Sequence, residues 1–216
     1  GFGDVEPITF FGTAGYVSPG NASARAAEVI SNLALPPGYG GIDYPVPAGL
    51  TLGGLNTLST DFKAIAGGCQ VGSPRFTVFT ASGGILDFYL DSPAVNTCPA
   101  DNLYHNTGNM ASPTYLVDVR GTYPFQYQTP YGGVQAANGA DAIVAIQLQQ
   151  DGGYTAAGPQ VFHFDNTQIA SALFTYEPDA LPAGLLAATS PATEVRVSRI
   201  SVNGVVGTNI PTNVAD

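Results

Sequence analysis

A chain of 216 residues with 16 acids against 6 bases has a formal net charge of −10, and only 10% of its residues are charged, against about 25% in an ordinary domain. Five arginines and the single Lys63 are too few to follow a phosphate backbone or draw anionic lipid, which excludes nucleic-acid and membrane-surface binding. At 44% hydrophobic the chain is not disordered, and its longest apolar run, ALPAGLLAATSPA, is broken by proline and glycine before the ~20 residues of a spanning helix.

The first eighteen residues predict a short extended segment carrying Ile8, Phe10 and Phe11. A helix is expected next, over about residues 22–33: Asn21 stands at its N-cap, Ala26, Val29, Ile30 and Leu33 follow helical spacing, and Pro36-Pro37 stops it. A loop dense in proline and glycine runs from 36 to 49. After it the pattern turns to β: RFTVFTA, ILDFYLD, TYLVDVR, GTYPFQYQ, ADAIVAIQLQQ, QVFHFDN and EVRVSRISVNGVV, each bounded by Gly, Pro, Asn or Ser clusters. In ADAIVAIQLQQ, Val144, Ile146 and Leu148 share one face and Ala145, Gln147 and Gln149 the other. In QVFHFDN, Phe162 and Phe164 face a core, while Val161, His163 and Asp165 face outward, with His163 solvated. Asp151-Gly152-Gly153 is the turn between those two strands. The expected fold is all-β: an antiparallel, jelly-roll-like sandwich with one short N-terminal helix. It divides into an N-terminal extension, 1–49, and a sandwich domain, 50–216.

Few residues suit catalysis. A Ser-His-Asp or Cys-His arrangement must use His105 or His163, and no G-x-S-x-G elbow occurs. The four glutamates, 6, 28, 177 and 194, show no spacing that pairs two across a cleft. The chain is therefore expected not to be an enzyme and to need no cofactor. A structural calcium, with Asp87, Asp91, Asp101 and Asp165 as candidate ligands, suits an oxygen-rich sequence better than zinc, although no EF-hand-type loop is present. Asn21-Ala22-Ser23 matches the glycosylation acceptor pattern. Cys69 and Cys98 are either one disulfide, worth about 3 kcal/mol, or two buried thiols; few lysines and an even cysteine count favour an oxidising compartment. The N-terminus, GFGDVEP, suits a processed mature form.

The segments GGCQVGSPRFTVFTASGG, HNTGNM and IQLQQDGGY…VFHFDN resemble a β-sandwich domain of secreted bacterial proteins, similar in layout to jelly-roll carbohydrate-binding modules. The resemblance spans about residues 50–170. It implies a jelly roll, secretion and a Cys69–Cys98 bridge, and it implies no catalytic residues. Such modules commonly stack sugars on tryptophan, and this chain has none.

Two functions follow as expectations. The first is a structural subunit of a secreted, self-assembling filament or surface layer, in which ITFFGTAGYV adds to a neighbour's sheet edge and buries Phe10 and Phe11; folding back on its own subunit is the plainer alternative. The second is a polysaccharide-binding module. Its platforms come from Tyr104 and from GTYPFQYQTPYGG, where Tyr123, Phe125 and Tyr127 line one face and Tyr131 follows at the turn.

Overall fold

The computed structural model describes residues 8–69, 72–90, 98, 101–151 and 158–177. The expected strand at 194–206, the turn glycines 152 and 153, and Asp91 lie outside the described residues.

Two antiparallel sheets form a sandwich. The larger takes β1 (Thr9–Gly12), β4 (Gly40–Tyr44), β11 (Ile143–Gln150), β6 (Arg75–Thr80), β7 (Gly84–Tyr89), β9 (Leu116–Gly121) and β10 (Gln126–Pro130), in that spatial order. The smaller runs β2 (Ala14–Val17), β3 (Ala26–Ser31), β12 (Gln160–Ile169), β5 (Leu58–Ala66) and β8 (His105–Asn106), with β13 (Ala172–Phe174) paired to β12. Residues 9–44, placed in an extension by the sequence pattern, supply four strands, two in each sheet. The chain crosses between sheets at Thr13, whose amide donates to the Tyr39 carbonyl and whose carbonyl accepts from Ile30.

Alternation decides which side chains meet between the sheets. Phe76 and Val78 of β6, Leu86 and Phe88 of β7 and Ile42 of β4 face Phe62 of β5 and Phe162 and Phe164 of β12, all within 1% of full burial. Each phenylalanine so buried contributes about 2–3 kcal/mol. A second, polar layer lies in the same interior. The hydroxyls of Tyr44, Tyr176, Thr167 and Thr60 are linked in a chain that ties the segment after β13 to both sheets, with the Tyr44 and Phe174 rings 5.1 Å apart. Burial pushes both phenols well above their ordinary range. The Cys69–Cys98 disulfide is formed, with Cα atoms 5.3 Å apart.

The N-terminal helix is corrected. Residues 26–31 form β3, an interior strand hydrogen-bonded to β2 on one side and β12 on the other. Ala26, Val29 and Ile30 satisfy helical spacing, but Val29 and Ile30 are β-branched and Ala27, Val29 and Ser31 alternate inward. Leu33, expected on the helix's apolar face, is 58% exposed. The helix among the described residues is instead α1 (Tyr131–Asn138). Tyr131 and Val134 anchor it: the Tyr131 hydroxyl donates to the Leu52 carbonyl at 2.8 Å, and Gln135 reaches the Leu52 and Leu55 carbonyls. A Cβ on Gly132 would come within 2.9 Å of Pro113, so a glycine poor in helix propensity is what permits the close approach. Val144 is also corrected. A bulge between Ile143 and Ala145 places Ile143 inside and leaves Val144 58% exposed, while Ile146 and Leu148 point inward as expected.

Phe162 stacks on Phe164 (centroids 5.9 Å apart) and lies 6.5 Å from Phe62. Phe162→Ala is expected to lower unfolding free energy by about 3–5 kcal/mol in urea titration; a loss under about 1 kcal/mol is incompatible with this packing.

Candidate functional site

The outward face of the larger sheet carries a polar row. Thr9, Asp43, Gln147, Thr77, Asp87 and Asp118 stand directly opposite one another across β1, β4, β11, β6, β7 and β9. Gln147 donates to Asp43 at 2.6 Å, and Thr77 donates to Asp87 at 2.7 Å. Arg120 pairs with Asp87 at 2.8 Å, and Arg75 lies 3.5 Å from Asp87 while gripping Asp151 with two bonds of 2.8 Å. Asp87 is 2% exposed, so these partners replace its lost hydration. Of this row the sequence singled out Gln147, by its alternation, and Asp87, as a candidate calcium ligand; it did not link them. The available signal was the isolated acid in ILDFY and LVDVR, each at an outward position of its strand.

The smaller sheet's outward face has its own row, in which His163 sits between Glu28 and Lys63. The expectation of a solvated His163 is corrected: it faces outward yet is 9% exposed, and its Nε2 meets Glu28 at 3.1 Å. Burial pulls its imidazole below the ordinary value. Lys63 lies 5.0 Å over the Tyr104 ring, and burial pushes the Tyr104 phenol up to about 12. Asp165, next on the same face, is fully buried because the β2–β3 connection folds over it: Ser23 and the Asn21 amide donate to it. The Asn21 side chain donates to Asp61 at 2.9 Å, so the nitrogen that would carry a glycan is already engaged.

The candidate calcium ligands among the described residues each have separate partners. Asp87 is held by arginines, Asp165 by Ser23 and Asn21, and Asp101 by His105 at 2.9 Å. Among the described residues no three His, Cys, Asp or Glu side chains gather as a metal-binding set.

The aromatic segment behaves differently from a single stripe. Tyr131 is fully buried against Phe88, at 5.1 Å, and is no platform. Tyr123 is half-buried, its ring lying over Gly84 where a Cβ would collide with it. Phe125 and Tyr127 are 73% and 67% exposed, and Tyr127 falls in the bulge that follows the Gln126–Val119 pair. Tyr123 instead helps form an open cleft of about 420 Å³ at one end of the sandwich, with Ser82, Thr122, Asn138, Asp141 and two alanines. Three connections meet there: the β6–β7 turn, the β9–β10 loop and the residues between α1 and β11. Asp141 is the centre of the cleft's chemistry. The hydroxyls of Ser82 and Tyr123 both donate to it and hold its carboxyl down at about 2.

A further group of exposed apolar side chains lies along the β1–β2 flank. Phe10 and Phe11 are half-buried on their own chain, Phe10 edge-on to Tyr16 (4.9 Å) and Phe11 beside Tyr39 (6.4 Å). β1 pairs with β4 and β2 with β3, so ITFFGTAGYV completes this chain's two sheets and is not held out for a neighbour. Tyr16, Leu33, Leu35 and Tyr39 are 53%, 58%, 42% and 40% exposed. Comparison with family models, with curated proteins and with solved structures returned no match.

A depressed carboxyl stabilises the fold fully above its ordinary value of 3.8 and ceases to do so as pH falls through about 2. Carbon-13 NMR of the Asp141 carboxyl is expected to titrate near 2, and Tyr123→Phe and Ser82→Ala each to raise that midpoint. A midpoint near 3.8 in the unaltered protein removes this hydrogen-bonded arrangement.

Proposed function

We propose that the chain is a non-catalytic structural subunit of an extracellular assembly, its copies joined along the edges of their sheets. The supporting observation is where charge is missing. In a chain of net charge −10, residues 8–20, 30–42 and 121–130 contain no charged side chain. The first and last of these stretches hold β1 and β10, the two opposite edges of the seven-stranded sheet, the first also holds β2, an edge of the six-stranded sheet, and together the three carry the exposed aromatic rings Tyr16, Tyr39, Phe125 and Tyr127. Soluble monomers usually guard such edges with charge, lysine above all, because unpaired backbone groups beside apolar side chains recruit another strand. On the sheet faces, Arg75 and Arg120 meet Asp87 and His163 meets Glu28 across strands, an arrangement suited to holding sheets in register. The disulfide supports an oxidising compartment, and no helix among the described residues is long and apolar enough to cross a membrane.

The cleft favours a second reading, a glycan-binding module. Asp141, Asn138, Ser82 and Thr122 offer acceptors and donors for sugar hydroxyls, Phe125 offers an exposed ring nearby in the chain, and the volume suits a small ligand.

Light scattering and negative-stain imaging separate the two. Association that increases with concentration, to dimers or beyond, and is lost in a Tyr16→Lys/Tyr39→Lys variant of unchanged circular dichroism is the expected result. A monomer at every concentration, retained on immobilised polysaccharide and released by Phe125→Ala, favours the glycan reading and sinks the structural one.

A further inference from the structure

Resting on the assembly reading above, the geometry points to a second copy of this chain as the occupant of the β1–β2 flank: we propose a two-fold contact in which β1 lies antiparallel to β1 of the partner while β2 lies antiparallel to β2 of the partner. Among the described residues β1 is the terminal strand of one sheet and β2 the terminal strand of the other, and only Thr13 separates them in the chain. A partner for this flank must therefore offer two adjacent edges at the spacing of a sandwich, each about four residues long. The same flank, turned about an axis normal to the sheets, offers both at once and continues each sheet across the junction.

The outer strands at the far ends of the two sheets, among the described residues, fit poorly. β10 has a bulge between Gln126 and Thr129, a positive φ at Gln128, whose amide is already given to Asp118, and Pro130, which has no N–H to donate. β8 is only two residues long. Electrostatics favour the same pairing. Two copies of a protein of charge −10 repel, and residues 8–20 and 30–42 bring no acid to the junction; the charged group beside it is basic, Arg25, whose guanidinium lies 5.5 Å over the Tyr16 ring. The exposed Tyr16 and Tyr39 rings supply apolar surface on both sides, and all neighbouring strand pairs in both sheets are antiparallel, the more favourable arrangement per residue.

A two-fold contact brings each residue of the flank near its own copy, whereas a head-to-tail contact does not. Nothing lies within 4 Å of a Cβ built on Gly15, so a cysteine fits there. Gly15→Cys treated with a short bismaleimide is expected to yield mostly covalent dimer, with Tyr127→Cys, on β10, yielding monomer under the same conditions; Val17→Cys is the second site if Gly15→Cys does not fold. Light scattering on the untreated variants reports association independently. Association with no single-cysteine dimer, and capture only when Gly15→Cys is mixed with Tyr127→Cys, overturns the two-fold pairing but leaves the assembly reading standing. Absence of association overturns both.

Discussion

The phenylalanine layer between the sheets is the constraint from which the other features follow. Phe62, Phe76, Phe88, Phe162 and Phe164 must all point inward. A strand's side chains alternate with a period of two, so a slip of one residue in any of these strands would expose its aromatics and bury its charges. Once register is set in this way, the outward positions are set too. Asp43, Gln147, Thr77, Asp87 and Asp118 line up because their neighbours in the chain are core residues, and the alignment brings Arg75 and Arg120 against Asp87. The polar row is a consequence of the apolar layer. It then reinforces that layer, since a carboxylate as covered as Asp87 is tolerable only with its partners in place.

What the sequence made legible follows the same line. β6, β7, β11 and β12 alternate bulky and small or polar residues, and their inward faces match the alternation at Phe76, Val78, Ile146, Leu148, Phe162 and Phe164. β3 was misread because in a run as short as AAEVIS the two periodicities overlap, and Val29 falls on the apolar face under either one. Its place between β2 and β12, which gives both sides of its backbone partners, is a tertiary fact that no local spacing carries. β4 was lost in a glycine- and proline-rich stretch: Gly41 sits beneath the Phe11 ring, where a Cβ would collide with it, so the composition that looked like loop is what lets β1 lie close. α1 was lost to the same effect at Gly132. β5 shows the opposite failure, since LSTDFKAIA alternates inward at Leu58, Thr60, Phe62 and Ala64 and could have been found by its period alone.

The cleft was less legible than the fold for a physical reason. Ser82, Tyr123 and Asp141 come from three connections, and loops have no period. Tyr123 was singled out as an aromatic surface, yet what it contributes is a hydroxyl to Asp141. Tyr131, grouped with it by proximity in sequence, turns inward because it begins a helix.

The distribution of charge joins the fold to the proposed function. Most of the described acids are engaged by arginine, histidine, amide or hydroxyl groups, on β-sheet faces or at loop ends, where pairing offsets their desolvation. The exposed aromatic rings Tyr16, Phe125 and Tyr127 lie on or beside edge strands, where the backbone has hydrogen-bonding groups with no further strand among the described residues. Faces and edges thus divide the work: the faces hold the sandwich together, and the edges retain the capacity to bind. For a strand edge the chemistry that best complements a row of amide and carbonyl groups is another such row. When the edge strands carry no acid and the molecule as a whole is strongly acidic, that row is met at least electrostatic cost on an edge equally free of acids.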